Sequence, residues 1–165
     1  MNFIRAEVTD IGTIQEIAKV SWEKAYSEIL SFEQIEYMLE EMYSNEELKK
    51  QLLDDSFRYY LMVSKSTKLP VGFMGFQYGY NEQTTKLHKI YILPSEQGKG
   101  WGSKAIGFLK EEVQMFGDRR IVLNVNKNNT ARKAYEKNGF IVQGHEVIDI
   151  GEGYVMDDYV MSLSL

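Results

Sequence analysis

The chain has 165 residues, 44% of them hydrophobic and 26% charged. That is ordinary usage for one folded domain and excludes disordered and fibrous classes. With no Cys it forms no disulfide, thiolate metal site or cysteine nucleophile, and 19 basic against 24 acidic residues argue against nucleic-acid binding through bulk charge.

Residues 1–165 read as a single domain, with two prolines (Pro70 and Pro94) and no repeat or linker. Phe3-Ile4-Arg5 predicts a short first strand. The opening lacks the apolar run of a secretory signal, and no stretch approaches the roughly 20 residues that span a bilayer. A cytoplasmic protein without membrane contact is the expectation, and the missing disulfides agree with it. Asp10 is placed to cap a helix beginning at Ile11, with Ile14, Ile17, Ala18, Ser21 and Trp22 following at helical period. A second helix carries Ile35, Met38, Leu39 and Met42 on one stripe and continues past Asn45 to Leu53. Residues 31–55 hold eight acids and two bases. This is either a solvated helix face or a rim that attracts a cationic substrate.

Residues 58–64, 71–80 and 86–93 predict an antiparallel meander, with turns at 65–69 and 81–83. Pro94 ends that ladder, and a glycine-rich loop leads into a helix with Ala105, Phe108, Leu109 and Val113 on its inner side. A short strand at 120–125 is followed by a helix at 129–137, with Gly139 fitting its left-handed cap. Residues 140–148 and 154–163 predict two last strands across the turn Gly151-Glu152-Gly153. The order is β-α-α-β-β-β-α-β-α-β-β, a mixed α/β fold.

The loop carries the most information. Gly98, Gly100 and Gly102 let the backbone approach a ligand closely, and the helix that follows offers free N–H groups and a positive dipole end to a phosphate. Lys99 and Lys104 add positive charge. The P-loop spacing is absent. Gly100-Trp101-Gly102-Ser103-Lys104-Ala105 fits Gly-x-Gly-x-x-Ala, the loop of a nucleotide-binding oxidoreductase. Such a loop leaves its strand at once and has an acid roughly 20 residues on. Here several residues intervene, and the next strand ends at Asn124-Val125-Asn126.

Gln97-x-x-Gly100-x-Gly102 resembles the pyrophosphate loop of the GCN5-related N-acetyltransferase (GNAT) superfamily, which binds acetyl-coenzyme A. A strand ending Ile92-x-Pro94 precedes it at the family's spacing. Downstream, Asn129-Thr130-Ala131-Arg132-Lys133-Ala134-Tyr135, followed by Gly139-Phe140, resembles the family's second motif. The element order is also the family's, and the likeness covers essentially the whole chain. The acidic second helix and the ending at 151–159 resemble the branch that includes PaiA-type polyamine acetyltransferases.

The resemblance implies that the fourth and fifth strands splay apart. The pantetheine arm would then pair with the backbone of Tyr91, Ile92 and Leu93, and an N–H near Ile92 would face the thioester carbonyl. The pyrophosphate would lie on the amides of Gly98, Lys99, Gly100, Trp101, Gly102 and Ser103, beside Gln97. Asn129, Ala131 and Lys133 would flank the coenzyme. Tyr135 would protonate the leaving thiolate, a sensible task for a phenol of pKa about 10. His88 is the candidate base, since four residues before Ile92 on one strand puts both side chains on one face. Glu152, Asp157 and Asp158 are alternative bases or amine anchors. Trp22 and Tyr26, with Phe32 and Tyr37, would line an acceptor pocket suited to cations.

The expected function is direct transfer of acetyl from acetyl-CoA to a primary amine, a polyamine or similar small cation first. A non-catalytic coenzyme A-binding module and a protein or peptide N-terminal acetyltransferase are the alternatives. With His88 and His145 the only histidines, no metal is expected. The C-terminal strands could pair two copies into a homodimer.

Overall fold

The computed structural model describes residues 2–165. One mixed sheet of seven strands organises the chain. Strand β1 (Asn2–Arg5) pairs antiparallel with β2 (Phe57–Val63), β2 with β3 (Pro70–Asn81), and β3 with β4 (Thr84–Ile92). β4 then runs parallel to β5 (Arg120–Asn126). β5 pairs antiparallel with β7 (Tyr154–Ser164), and β7 with the edge strand β6 (Ile141–Gly151).

Alternating side chains give this sheet two apolar faces. Tyr59, Leu61 and Phe73 enter one core, covered by α1 (Ile11–Tyr26), α2 (Phe32–Tyr43) and α3 (Asn45–Leu52). Met62, Met74 and Phe76 enter the other, covered by α4 (Trp101–Phe116) and α5 (Ala131–Lys137). No helix among the described residues is long and apolar enough to cross a membrane.

The mixed α/β class and the element order agree with the expectation, with one helix added. The acidic segment forms two helices, not one. Ser44 adopts an extended conformation (φ −61°, ψ 154°), and its hydroxyl accepts from the Glu47 N–H at 3.2 Å. A serine that offers its oxygen to the backbone ends one helix and caps the next. Asp10 precedes α1 but does not cap it. Its carboxylate accepts instead from the Glu7 N–H at 2.8 Å, bracing the turn before the helix. α5 begins at Ala131, two residues later than expected, because Asn129 folds back and accepts from the Ala131 N–H at 2.9 Å. Gly139 takes φ 97°, as its left-handed cap requires.

Candidate active site

The parallel ladder between β4 and β5 lasts only from Thr84↔Arg120 to Leu87↔Leu123. Past Leu87 and Leu123 the strands separate, leaving the inner edge of β4 unpaired up to Ile92. N–H directions alternate along a strand. The Leu93 N–H bonds to Val71 O of β3 at 2.8 Å, so the Ile92 N–H points into the gap. A cleft of about 610 Å³ occupies this gap. Its walls are β4, the glycine loop, α5 and the C-terminal end of α1, from Ser21 to Tyr26.

The loop reaches the cleft because it bends back across it. A short turn at Pro94–Glu96 leads to Gly98 and Gly100, both at φ 80°, and Gly100 is the residue from which α4 departs. A side chain at φ near +80° would be strained, so glycine is needed at both places. Gln97, Gly98, Gly100, Trp101, Gly102 and Ser103 all line the cleft, with the free N–H groups of the first turn of α4. Across it, Asn138 at the end of α5 donates to the Ser103 hydroxyl at 3.4 Å and fixes the two walls to each other.

Three phenols meet at the inner end. Tyr26 closes α1, Tyr91 lies on β4 and Tyr135 on α5, and all three line the cleft. Asn129 donates to the Tyr26 hydroxyl at 3.2 Å, and the Tyr91 hydroxyl lies close to that of Tyr26. Burial pushes the Tyr135 phenol well above its ordinary range, with the Tyr26 hydroxyl adding to the effect. Tyr135 therefore carries its proton at any working pH and can serve only as an acid.

His88 sits on an irregularity. Gly75 pairs with Lys89 but Phe76 pairs with Leu87, so His88 is an extra residue on β4. Such a bulge shifts the alternation by one. Ile92, Ile90 and Leu87 all face the second core, whereas the His88 ring stacks on Phe57, a first-face residue, with Nε2 at 3.0 Å from Gln77 Oε1. The expected sharing of one face by His88 and Ile92 therefore does not hold. Burial, with Lys86 and Lys89 close by, lowers the His88 pKa to about 3. The ring stays neutral and is a poor acceptor for an amine's proton. Lys89 faces the first core, where its ammonium donates to Met42 O at 3.1 Å and lies 4.3 Å from the centre of the Tyr43 ring. Burial lowers its pKa to about 8.

Residues 14–140 match the family model described as the acetyltransferase (GNAT) family. The chain belongs to the GNAT acetyltransferase family. It is 30% identical over 82 residues to an uncharacterised N-acetyltransferase of Mycobacterium tuberculosis, a match covering 49% of this chain. The chain spans about half (52%) of the length of that relative. Over its full length it is similar to the spermidine N(1)-acetyltransferase of Thermoplasma acidophilum, 24% identical across 93% of both chains. Among solved structures it is similar to PaiA N-acetyltransferase of Thermoplasma acidophilum in complex with coenzyme A. That likeness has a TM-score of 0.82 at 23% identity and covers 100% of both chains.

In this GNAT fold the cleft gathers Tyr26, His88, Tyr91, Ile92, Asn129, Ala131 and Tyr135 with the loop residues. Other expected residues lie elsewhere. The Lys99 ammonium is 3.1 Å from Glu96, so its charge is already paired. Lys133 is exposed outside the cleft wall, and Leu93 packs against the first core. Trp22 is 1% exposed in that core, its indole N–H bonded to the Tyr43 hydroxyl at 3.3 Å. Burial, not ligand contact, explains that tryptophan. Phe32 is 68% exposed, and Tyr37 bonds to Ile150 O at 2.9 Å, tying α2 to β6. Glu152 occupies the tip of the β6–β7 turn at φ 53°. Asp157 is held in an ion pair with Lys127 and a 2.9 Å contact to His145, away from the cleft wall. Ser21, Asn124 and Asn138 line the cleft without any motif to mark them.

Proposed function

We propose that this chain transfers acetyl from acetyl-CoA directly to the primary amine of a small cationic acceptor, foremost a polyamine. The observation that carries this reading is the opening between β4 and β5. It presents the Ile92 N–H, the glycine loop at the start of α4 and the Tyr135 phenol to one cleft. An extended pantetheine arm would complete the unpaired edge of β4 as an added strand. Its pyrophosphate would rest on the amides between Gly98 and Ser103, where backbone donors and the α4 dipole favour negative charge.

The chemistry then follows from the chain's own groups. The Ile92 N–H faces the thioester carbonyl and stabilises the negative charge that develops on its oxygen. The acceptor nitrogen attacks the carbonyl carbon, a C–N bond forms, and the C–S bond breaks. Tyr135 gives its proton to the departing sulfur. With no Cys in the chain, the acetyl group passes to the amine without a cysteine thioester intermediate.

The acceptor class rests on two supports. The full-length relative from Thermoplasma acidophilum is named for spermidine. The segment 31–55 carries eight acids and two bases, and α2 within it bonds to the β6–β7 hairpin through Tyr37 and Gln34. Incubating the protein with acetyl-CoA and spermidine and analysing the polyamine by mass spectrometry tests the reading. Monoacetylated spermidine is expected. Unchanged spermidine, beside an acetylated peptide or amino acid, would move the acceptor to another class.

A further inference from the structure

The sheet ends in two edges of unequal length. β1 has four residues, whereas β6 has eleven, none of them buried. A long bare edge offers unpaired N–H and C=O groups to another strand, and proteins blunt such edges with Lys or Pro. β6 contains neither. Extra residues at Gln143 and Ile150 interrupt its pairing with β7, but from Gly144 to Asp149 the ladder is regular.

The bonds of β7 decide which backbone groups of β6 face outward. The Lys127 N–H donates to Asp157 O at 3.1 Å, so the polar groups of Asp157 point toward β5. Val147 stands directly opposite Asp157 and therefore belongs to a non-hydrogen-bonded pair, with its own N–H and C=O turned away from β7. His145 and Asp149, two residues to either side, face outward in the same way. An added antiparallel strand must meet these three residues with outward-facing residues of its own.

When the added strand is β6 of a second copy, the register is defined by the residue on the two-fold axis. An axis at Glu146 or Asp149 sets a carboxylate against its own copy, which is destabilising. An axis at His145 sets two imidazoles together, and one at Ile148 sets Val147 against Asp149. An axis at Val147 sets Val147 against Val147, and His145 of each copy against Asp149 of the other. The His145 Nε2 is held by Asp157 at 2.9 Å, which leaves Nδ1 for the copy's Asp149. One Asp149 oxygen accepts from the Gly151 N–H at 2.8 Å, which leaves the second for His145. Glu146 then faces Ile148, with its carboxylate taken up by the Asn124 amide at 3.0 Å. Val155 lies diagonal to Val147 on the same face and is also exposed, so these valines of both copies form one apolar patch across the axis.

We propose that the chain is a homodimer joined through β6, its two copies paired antiparallel about a two-fold axis at Val147 with His145 and Asp149 matched across it. The same patch serves both copies, so the assembly closes as a dimer and does not propagate.

The test is sedimentation of the wild type together with disulfide trapping in Val147→Cys and His145→Cys, each of which carries a single thiol because the chain has no Cys. Val147 and His145 are similarly exposed, at 58% and 56%, so accessibility alone does not separate them. With the axis at Val147, the two Val147 Cα atoms lie about 5.5 Å apart, within disulfide reach. The two His145 Cα atoms are four residues out of step, about 14 Å apart, and cannot be bridged. The wild type should sediment at twice the chain mass. Mild oxidation should trap Val147→Cys as a covalent dimer at least tenfold faster than His145→Cys, and Val147→Lys should weaken dimerisation at least tenfold with an unchanged far-UV circular dichroism spectrum. A monomeric wild type would overturn the proposal and leave the β6 edge to a strand of another protein. A dimer in which Val147→Cys is trapped no faster than His145→Cys would overturn it as well, because the copies would then meet elsewhere or in another register.

Discussion

Asn129 donates its amide hydrogen to the Tyr26 hydroxyl across 3.2 Å, joining the loop before α5 to the last turn of α1. The bond links the two sides of the sheet through the opening between β4 and β5. Tyr26 thereby reaches both parts of the site, since the Tyr91 hydroxyl lies close to it and Tyr135 lies within its field. Tyr26→Phe leaves the Asn129 amide without its partner. The expected cost is about 1–2 kcal/mol, or a fall in melting temperature of roughly 2–8 °C for a domain of this size. Turnover should fall several-fold. Thermal unfolding and steady-state kinetics of the variant check both, and an unchanged melting temperature would show that the bond contributes nothing.

Tyr135→Phe removes only a hydroxyl. If that hydroxyl protonates the leaving sulfur, turnover falls by about 10²–10³, the usual scale of general acid catalysis. Acetyl-CoA affinity stays where it was. Because burial holds the phenol far up its range, no loss of rate should trace to Tyr135 ionisation below pH 10. The ratio of kcat to the directly titrated Kd separates the two effects.

Gly72 of β3 faces Ile92 across the ladder, and a Cβ built on it would lie 2.5 Å from Tyr91 O. Gly72→Ala must therefore push β4 outward at the residues that border the opening. Overpacking of this kind costs about 1–3 kcal/mol. Acetyl-CoA binding should weaken along with stability, whereas Gly107→Ala, where a Cβ meets nothing within 4 Å, should do neither. Calorimetry and thermal melts of the pair provide the comparison.

His88 gives the fold a pH signature. Its pKa is about 3 in the folded chain and about 6.5 when unfolded. Between those values the unfolded state binds the extra proton, so stability rises with pH. The contribution is fully present above about pH 6.5 and is lost as pH falls toward 3. His88→Gln should flatten this part of the stability curve while leaving the basic side unchanged. Urea midpoints across pH 4–8 would show it, and a parallel pair of curves would contradict the burial of the ring.

Much of this was legible in the sequence, and the reasons differ by element. The loop could be read because Gly98 and Gly100 occupy conformations few other residues tolerate. The strands β2 and β3 could be read as near-continuous apolar runs because both faces of that sheet are buried. The break at Ser44 was less visible, since the helical stripe runs through it and only the capping hydroxyl reveals the boundary. The face of His88 was hidden by a bulge that shows only in the pairing with β3. Which of Asp157 and Asp158 is buried depends on the register of β7 against β5. A shift of one residue would exchange their faces. Composition does not fix that register, so the half-buried Asp157 and the buried Asp158 look alike in the sequence.

Acetyl transfer to an amine is tested most directly by following free thiol released from acetyl-CoA, with and without a panel of acceptors. The panel holds spermidine, spermine, amino acids, aminoglycosides and short peptides. The account predicts release that depends on acceptor, is fastest with polyamines, and falls to a small residue in Tyr135→Phe. No release with any acceptor, from a protein whose melting temperature acetyl-CoA raises, would contradict it and leave a coenzyme-binding module in its place.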